Sequence, residues 1–481
     1  MIFNSLTYLL FLAIVVTLYW VLPYRARLLL IFSASLIFYG FWRIEFLPVL
    51  LLSIFVDWSV AQQMRGRSDR NRFYLLLISL IFNLGLLFYF KYLIFFADNA
   101  IGLANLLGAE IDPIALKIIL PLGISFYTFQ TISYSVDVYR RVIEPERDFV
   151  LYACYVTFFP QLVAGPVLRA AEVIHQFANR AVFSSEHLFA GIRRILYGLC
   201  LKVVLADNIA PLVDAGYSMP LETMSALDVW TLAFLFGFQI YFDFSAYSHI
   251  ALGSARLVAI NFPENFNFPY LASSPKDFWQ RWHISLSSWI RDYLYLPLAG
   301  VKVHDRSTGG LGAATAERKH TKPLFLSWAI MGLWHGANWT FLLWGIYHAV
   351  VISVFRLIEP RTLSLGKRIR WWGGVAITLP VMMLAWVPFR AETVAHTFVM
   401  WGKIFDPSAY LWLGMRENTY LITALILFGV FSTCAVREKI MPKIQAVRFV
   451  IAVADISMVA LMIALVIVFL RPINQFIYFQ F

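Results

Sequence analysis

Residues 324–355 read LFLSWAIMGLWHGANWTFLLWGIYHAVVISVF, 32 positions without one Asp, Glu, Lys or Arg. An apolar run of that length belongs in a bilayer, whose hydrocarbon takes about 20 helical residues. It is too long for one straight crossing. Arg318, Lys319 and Lys322 precede it, and Arg356 and Arg361 follow it. Basic residues at both ends favour the cytoplasmic side for both. The chain is therefore expected to enter and return, with the bend near Gly332, Gly336 and Asn338. That puts His335 deep in the membrane, at the tip of a broken or re-entrant element. An imidazole and an amide there cost free energy in hydrocarbon, so His335 and Asn338 are functional candidates by default. The competing reading is a histidine satisfied by a neighbouring helix.

The rest of the chain agrees with a membrane setting. Of its 481 residues 60% are hydrophobic and only 14% charged, which points to an all-α polytopic membrane protein. Apolar stretches predict spans at 5–22, 28–42, 46–62, 73–97, 227–255, 371–389, 418–436 and 449–470. Residues 116–136 read as a span interrupted by Pro121 and Gly123, and 149–168 as an apolar stretch broken by Pro160, Gly165 and Pro166. The stretch 188–204 carries Arg193, Arg194 and Lys202 and reads as interfacial. The first apolar stretch follows no basic segment and reads as a retained helix. The arrangement is one integral-membrane unit over 1–481: N-terminal helices in 1–115, a core in 116–358 and C-terminal helices in 359–481.

The net charge of +11 fits basic cytoplasmic loops at 65–72, 361–370 and 437–448, which set orientation and leave both termini outside. No soluble basic domain is visible, so nucleic acid is not an expected partner. Cys154, Cys200 and Cys434 are scattered in apolar surroundings and suggest neither a disulfide framework nor a metal site. His283, His335 and His348 lack metal-ligand spacing; His348 reads as a satisfied core or interface histidine. No nucleophile elbow or phosphate loop appears.

A second dense segment runs from Lys276 to Pro297 and includes Trp282, His283, Ser287 and Tyr293 between Arg281 and Arg291. If helical, it sets His283 and Ser287 on one face. It reads either as an interfacial amphipathic helix with an aromatic belt or as a cytoplasmic vestibule for an anionic donor. On the second reading Arg281, His283 and Arg291 stand at the mouth of a path ending at His335, and Trp334 and Asn338 shape it.

At these residues the chain resembles the membrane-bound O-acyltransferase family, and within it the membrane subunits of bacterial polysaccharide O-acetylases, those for alginate included. The matching stretches are Leu120–Tyr127, Ile132–Arg140, Phe159-Pro160 with Ala164–Pro166, Tyr241–Ser245, Phe278–Pro297, Gly332–Trp339 and Asn474–Phe481. Ala246, His249 and Ala299 depart from the pattern, and the loop from Val301 to His320 is unusual. The resemblance implies a ring of transmembrane helices around a tunnel, with His335 as catalytic histidine and His283 as its second histidine. It implies acetyl-CoA as cytoplasmic donor, no bound cofactor, and periplasmic SGNH-type acetyltransferases working with a polysaccharide synthase complex at a bacterial inner membrane. A transporter or flippase for a glycan precursor is the reading from another class, although the helix breaks do not recur in two halves as they often do in such folds. D-alanyl transfer is a variant within the family. A scaffold would leave His335 without a task.

Overall fold

A computed structural model describes residues 1–114, 117–301, 320–362, 364, 366–435, 448–470 and 476–477. Most of the Val301–His320 loop, the basic stretch 437–448 apart from Arg448, the Cys434 side chain and most of Asn474–Phe481 lie outside them. The described chain is helical, with no strand among these residues. Among the described residues five helices are long and apolar enough to cross a membrane: Ile44–Gln63, Asp69–Leu106, Ala226–Leu257, Trp339–Thr362 and Lys367–Arg390. Leu6–Val21, Glu417–Thr433 and Asp455–Phe469 are shorter apolar helices. The protein is a polytopic helical membrane protein.

The Ala226–Leu257 helix lies at the centre, and 83% of its most apolar window is buried inside the protein. Glycines let its neighbours approach. A Cβ on Gly198 would lie 2.7 Å from the Ala246 carbonyl oxygen, and one on Gly253 would lie 2.7 Å from that of Gly191. Lys202 is also buried here, its ammonium 2.6 Å from Asp243 and 2.9 Å from Asp207. The 188–204 stretch is therefore not a simple interfacial helix. Arg193 and Arg194 remain outside, paired with Asp455 and Glu264, but Lys202 turns inward because two carboxylates compensate its desolvation.

The two stretches expected to be interrupted are broken in the structure too. The 116–136 stretch becomes helical only at Ile124, and Gly123 caps that helix in the left-handed region at φ 72°. A Cβ on Gly123 would stand 2.3 Å from the Leu162 carbonyl oxygen, so backbone meets backbone there. The 149–168 stretch is helical only to Thr157, and residues 158–169 run on as buried irregular chain. Such backbone persists away from water when side chains satisfy it. Here Ser35 Oγ accepts from Phe159 N–H at 3.1 Å, Tyr247 OH from Ala164 N–H at 3.2 Å, and Ser285 Oγ from Val167 N–H at 2.9 Å. The Tyr155 hydroxyl donates to the Leu168 carbonyl at 2.9 Å. The Phe-Pro and Ala-Gly-Pro motifs thus form a packed internal loop.

Candidate active site

The 324–355 run folds as a helical hairpin. Thr321–His335 is one arm and Trp339–Thr362 the other, with Gly336–Asn338 between them. A Cβ on Gly345 would sit 2.2 Å from the Trp328 carbonyl oxygen, and one on Gly332 2.3 Å from that of Phe341. The arms therefore touch backbone to backbone, which fixes the tip. Asn338 caps the second arm, its Oδ1 accepting from Thr340 N–H at 3.0 Å.

His335 ends the first arm and is 6% exposed. Its ring meets Trp334 and Trp344 at 4.9 Å and Phe389 at 5.2 Å, edge on in each case. The last carbonyls of a helix lack intrahelical donors. Here Lys91 supplies one, its Nζ 2.5 Å from the Trp334 oxygen and 3.1 Å from that of His335. An ammonium at a helix C-terminus also meets the negative end of the helix dipole. Lys91 sits on a π turn, Phe88–Tyr92, inside the Asp69–Leu106 helix. Its signal in the sequence is plain: an ionisable residue within an apolar span.

His283 is not on a helical face with Ser287. It caps the short Ile284–Trp289 helix from a left-handed conformation, φ 41°. The segment breaks into Pro275–Trp279, a turn, Ile284–Trp289 and a π turn at Ile290–Tyr295. Asn265 shapes this break, its carbonyl accepting from Ile284 N–H at 2.9 Å and its Oδ1 from the Ser285 hydroxyl at 2.9 Å. His283 is buried, and its Nδ1 accepts from Leu286 N–H at 3.2 Å. The neutral ring therefore carries its hydrogen on Nε2. His283, Lys91 and His348 all lie within charge-interaction range of the His335 imidazole.

Two cavities approach this centre from different ends of the hairpin and share no lining residue. One, about 470 Å³, is bounded by Trp334, His335, Lys91, Phe41, Trp42 and the Leu120–Phe126 turn. The other, about 500 Å³, lies at the hairpin base against Trp328 and Met331, with Ser287, Lys276, Arg291, Arg356 and Glu359 around it. Phe129 stacks on Trp289 at 4.0 Å and, at 5.2 Å, on Trp334, which lines the tip cavity.

The other candidates separate accordingly. Ser287 lines the basal cavity and donates to the Trp282 carbonyl at 3.0 Å. Arg291 lines it too, half exposed, with Nε 2.7 Å from Asp292. Arg281 lines neither cavity; its Nε pairs with Asp277 at 2.6 Å. Trp282 packs among Phe278, Tyr241, Tyr270 and Trp386. The Tyr293 hydroxyl donates to Asp137 at 2.8 Å, beneath the guanidiniums of Arg140 and Arg169. His348 is buried against Trp279, Trp328 and Trp344, a core position, with no hydrogen-bond partner for its ring nitrogens among the described residues.

Comparison with known proteins agrees with this picture. The profile of the membrane-bound O-acyltransferase family matches residues 145–389. The chain is 34% identical to a protein named probable alginate O-acetylase AlgI in Azotobacter vinelandii, over 91% of this chain and 85% of that one. It is 35% identical to a peptidoglycan O-acetyltransferase of Helicobacter pylori, over 75% of this chain and 70% of the relative. A teichoic acid D-alanyltransferase of Bacillus subtilis is 27% identical over 58% of this chain and 67% of the relative. With the hairpin, its buried histidine and these similarities together, the chain belongs to the membrane-bound O-acyltransferase family.

Proposed function

We propose that this acyltransferase carries an acetyl group from cytoplasmic acetyl-CoA through the membrane for O-acetylation of an extracytoplasmic polysaccharide such as alginate, peptidoglycan or cellulose. The observation that carries the proposal is the position of His335, buried at the hairpin tip where it lines one cavity, with a second cavity at the base of the same hairpin. The basal cavity, with Lys276, Arg291 and Arg356, receives the phosphate-bearing donor, because guanidinium groups bind phosphate through paired hydrogen bonds. The tip cavity, with one charged side chain, Lys91, receives the acceptor.

In this scheme His335 acts as general base, a role suited to an imidazole. It takes the proton of the acceptor hydroxyl as the oxygen attacks the thioester carbonyl. The tetrahedral intermediate collapses, the C–S bond breaks, and the thiolate recovers the proton. His283 offers its Nε2–H as a donor to the oxyanion. The acceptor belongs to periplasmic SGNH-type subunits acting beside a polysaccharide synthase, in a bacterial inner membrane with both termini periplasmic. Charge bias in the 65–72 and 361–370 loops supports that orientation.

The test is His335→Ala in cells making the polymer. The variant accumulates normally and the purified polymer carries no O-acetyl signal by NMR; wild-type acetylation would overturn the proposal.

A further inference from the structure

The arginines at 65–72 supply charge for orientation, but the fold does more with them than the charge rule asks. They meet the 140–148 loop around a cavity of about 360 Å³, lined by Arg65, Arg67, Arg72, Arg141 and Arg147, with Glu144 as its single acidic lining residue. It shares no residue with the cavities beside His335.

The site is built. Arg72 is 7% exposed, and its guanidinium donates to the carbonyls of Met64 at 2.8 Å, of Val138, and of Tyr139 at 3.2 Å. Arg65 donates to the Pro145 carbonyl at 2.5 Å. Trp58 Nε1 and Gln62 Nε2 both donate to the Glu146 carbonyl, at 2.8 and 2.5 Å. The loop is thus tied to the end of the Leu47–Gln63 helix, and Arg141 is held at φ 59°. Arg72 and Arg65 each keep a buried Nε without a partner. Arg67 and Arg147 are exposed and have no carboxylate or carbonyl partner for their guanidiniums among the described residues. Arg141 is paired with Asp69 at 2.6 Å and Glu144 faces the space, so two carboxylates stand against five guanidiniums, and the surplus positive charges repel one another unless an anion sits among them.

We infer that this cavity binds the phosphate head group of an anionic phospholipid. Phosphate matches guanidinium donors in geometry as well as charge. A lipid is favoured over a soluble phosphate because Phe73 and Tyr74, next along the chain from Arg72, are exposed apolar surface beside the site. Basic pockets at the cytoplasmic ends of membrane helices take head groups in this way.

The test uses full-length protein purified and delipidated in detergent, with its thermal midpoint measured against added phosphatidylglycerol, phosphatidylcholine or inorganic pyrophosphate. Phosphatidylglycerol raises the midpoint and the other two do not. The double variant Arg67→Gln with Arg147→Gln keeps its lipid-free midpoint, because neither side chain holds the fold, and needs about tenfold more phosphatidylglycerol for half the shift. A control pair on another basic stretch, Arg361→Gln with Arg370→Gln, responds like wild type. An unchanged response in the first pair, or equal losses in both pairs, overturns the site. A pyrophosphate shift that matches phosphatidylglycerol and disappears in the first pair overturns the lipid as its occupant.

Discussion

The hairpin tip at Gly332–Trp339 and the Pro275–Leu298 segment are both rich in tryptophan and each carries a buried histidine, yet they hold it by different means. His335 is held by regular helices: two arms in backbone contact, with Lys91 on the terminal carbonyls. His283 is held by a break: a left-handed residue whose own ring caps the helix that follows. One histidine can be replaced without disturbing its backbone. The other is part of its own scaffold, and this difference orders the predictions.

The largest effect falls at the two histidines. His335→Ala and His335→Asn both lose acetylation by about a thousandfold while expression and thermal midpoint stay near wild type. His283→Ala loses the cap as well as the Nε2–H, so its midpoint falls too, by a cap's usual contribution of about 1 kcal/mol. His283→Asn separates the two roles. Asn tolerates the left-handed region and caps helices well, so stability returns, whereas activity stays about a hundredfold down because the imidazole donor is gone. Acetylation restored by Asn would show that His283 is only a cap, and the contrast between the two regions would collapse.

The hairpin arms come next. Gly345→Ala places a methyl group 2.2 Å from the Trp328 carbonyl oxygen. Backbone cannot step aside cheaply, so a cost of about 3 kcal/mol is expected, visible as poor accumulation and a lowered thermal midpoint in detergent. Gly373→Ala, where nothing lies within 4 Å, is the paired control and is neutral or slightly stabilising. Equal behaviour of the two would remove the close approach as the reason the tip is fixed.

Lys91 ranks third. Lys91→Met keeps most of the stem volume and removes the ammonium from the two carbonyls. The tip then loses its clamp, and acetylation falls about tenfold, the scale of one hydrogen bond to a charged group. The measure is initial rate in proteoliposomes at saturating donor. A rate within twofold of wild type would mean the glycine contacts alone position His335.

These cases show what the sequence can disclose about this fold. The spans at 46–62, 73–97, 227–255 and 371–389 were legible because hydropathy is local, and the bend at Gly336–Asn338 because its glycines lie within one run between flanking charges. Lys91 was missed: an ionisable residue in an apolar span is its signal in the sequence, but its role depends on carbonyls at Trp334 and His335, far along the chain. The buried 158–169 loop depends on hydroxyls from Ser35, Tyr247 and Ser285, three distant elements. His283 would share a face with Ser287 only if its segment were helical there, but Asn265 holds the chain in a turn instead. Periodicity reports which face is apolar; it does not report a tertiary partner that ends the helix.

The smallest effect distinguishes the two arginines that flank His283. From the sequence alone Arg281 and Arg291 are equivalent guardians of a donor entrance. In the fold Arg291 lines the basal cavity, whereas Arg281 lies outside it, 2.6 Å from Asp277. With acetyl-CoA as the proposed donor, Arg291→Gln is therefore expected to raise its KM about threefold with kcat unchanged, because a half-exposed guanidinium contributes under about 1 kcal/mol to binding. Raising the donor concentration recovers the full rate, as it does when a binding contact common to ground and transition state is lost. Arg281→Gln leaves KM unchanged and removes only a partly exposed pair with Asp277 just beyond the Pro275–Trp279 helix, whose contribution to stability is about 1 kcal/mol or less. Equal KM shifts in the two variants would return Arg281 to the donor path, and no shift in either would leave both as anchors to anionic lipid.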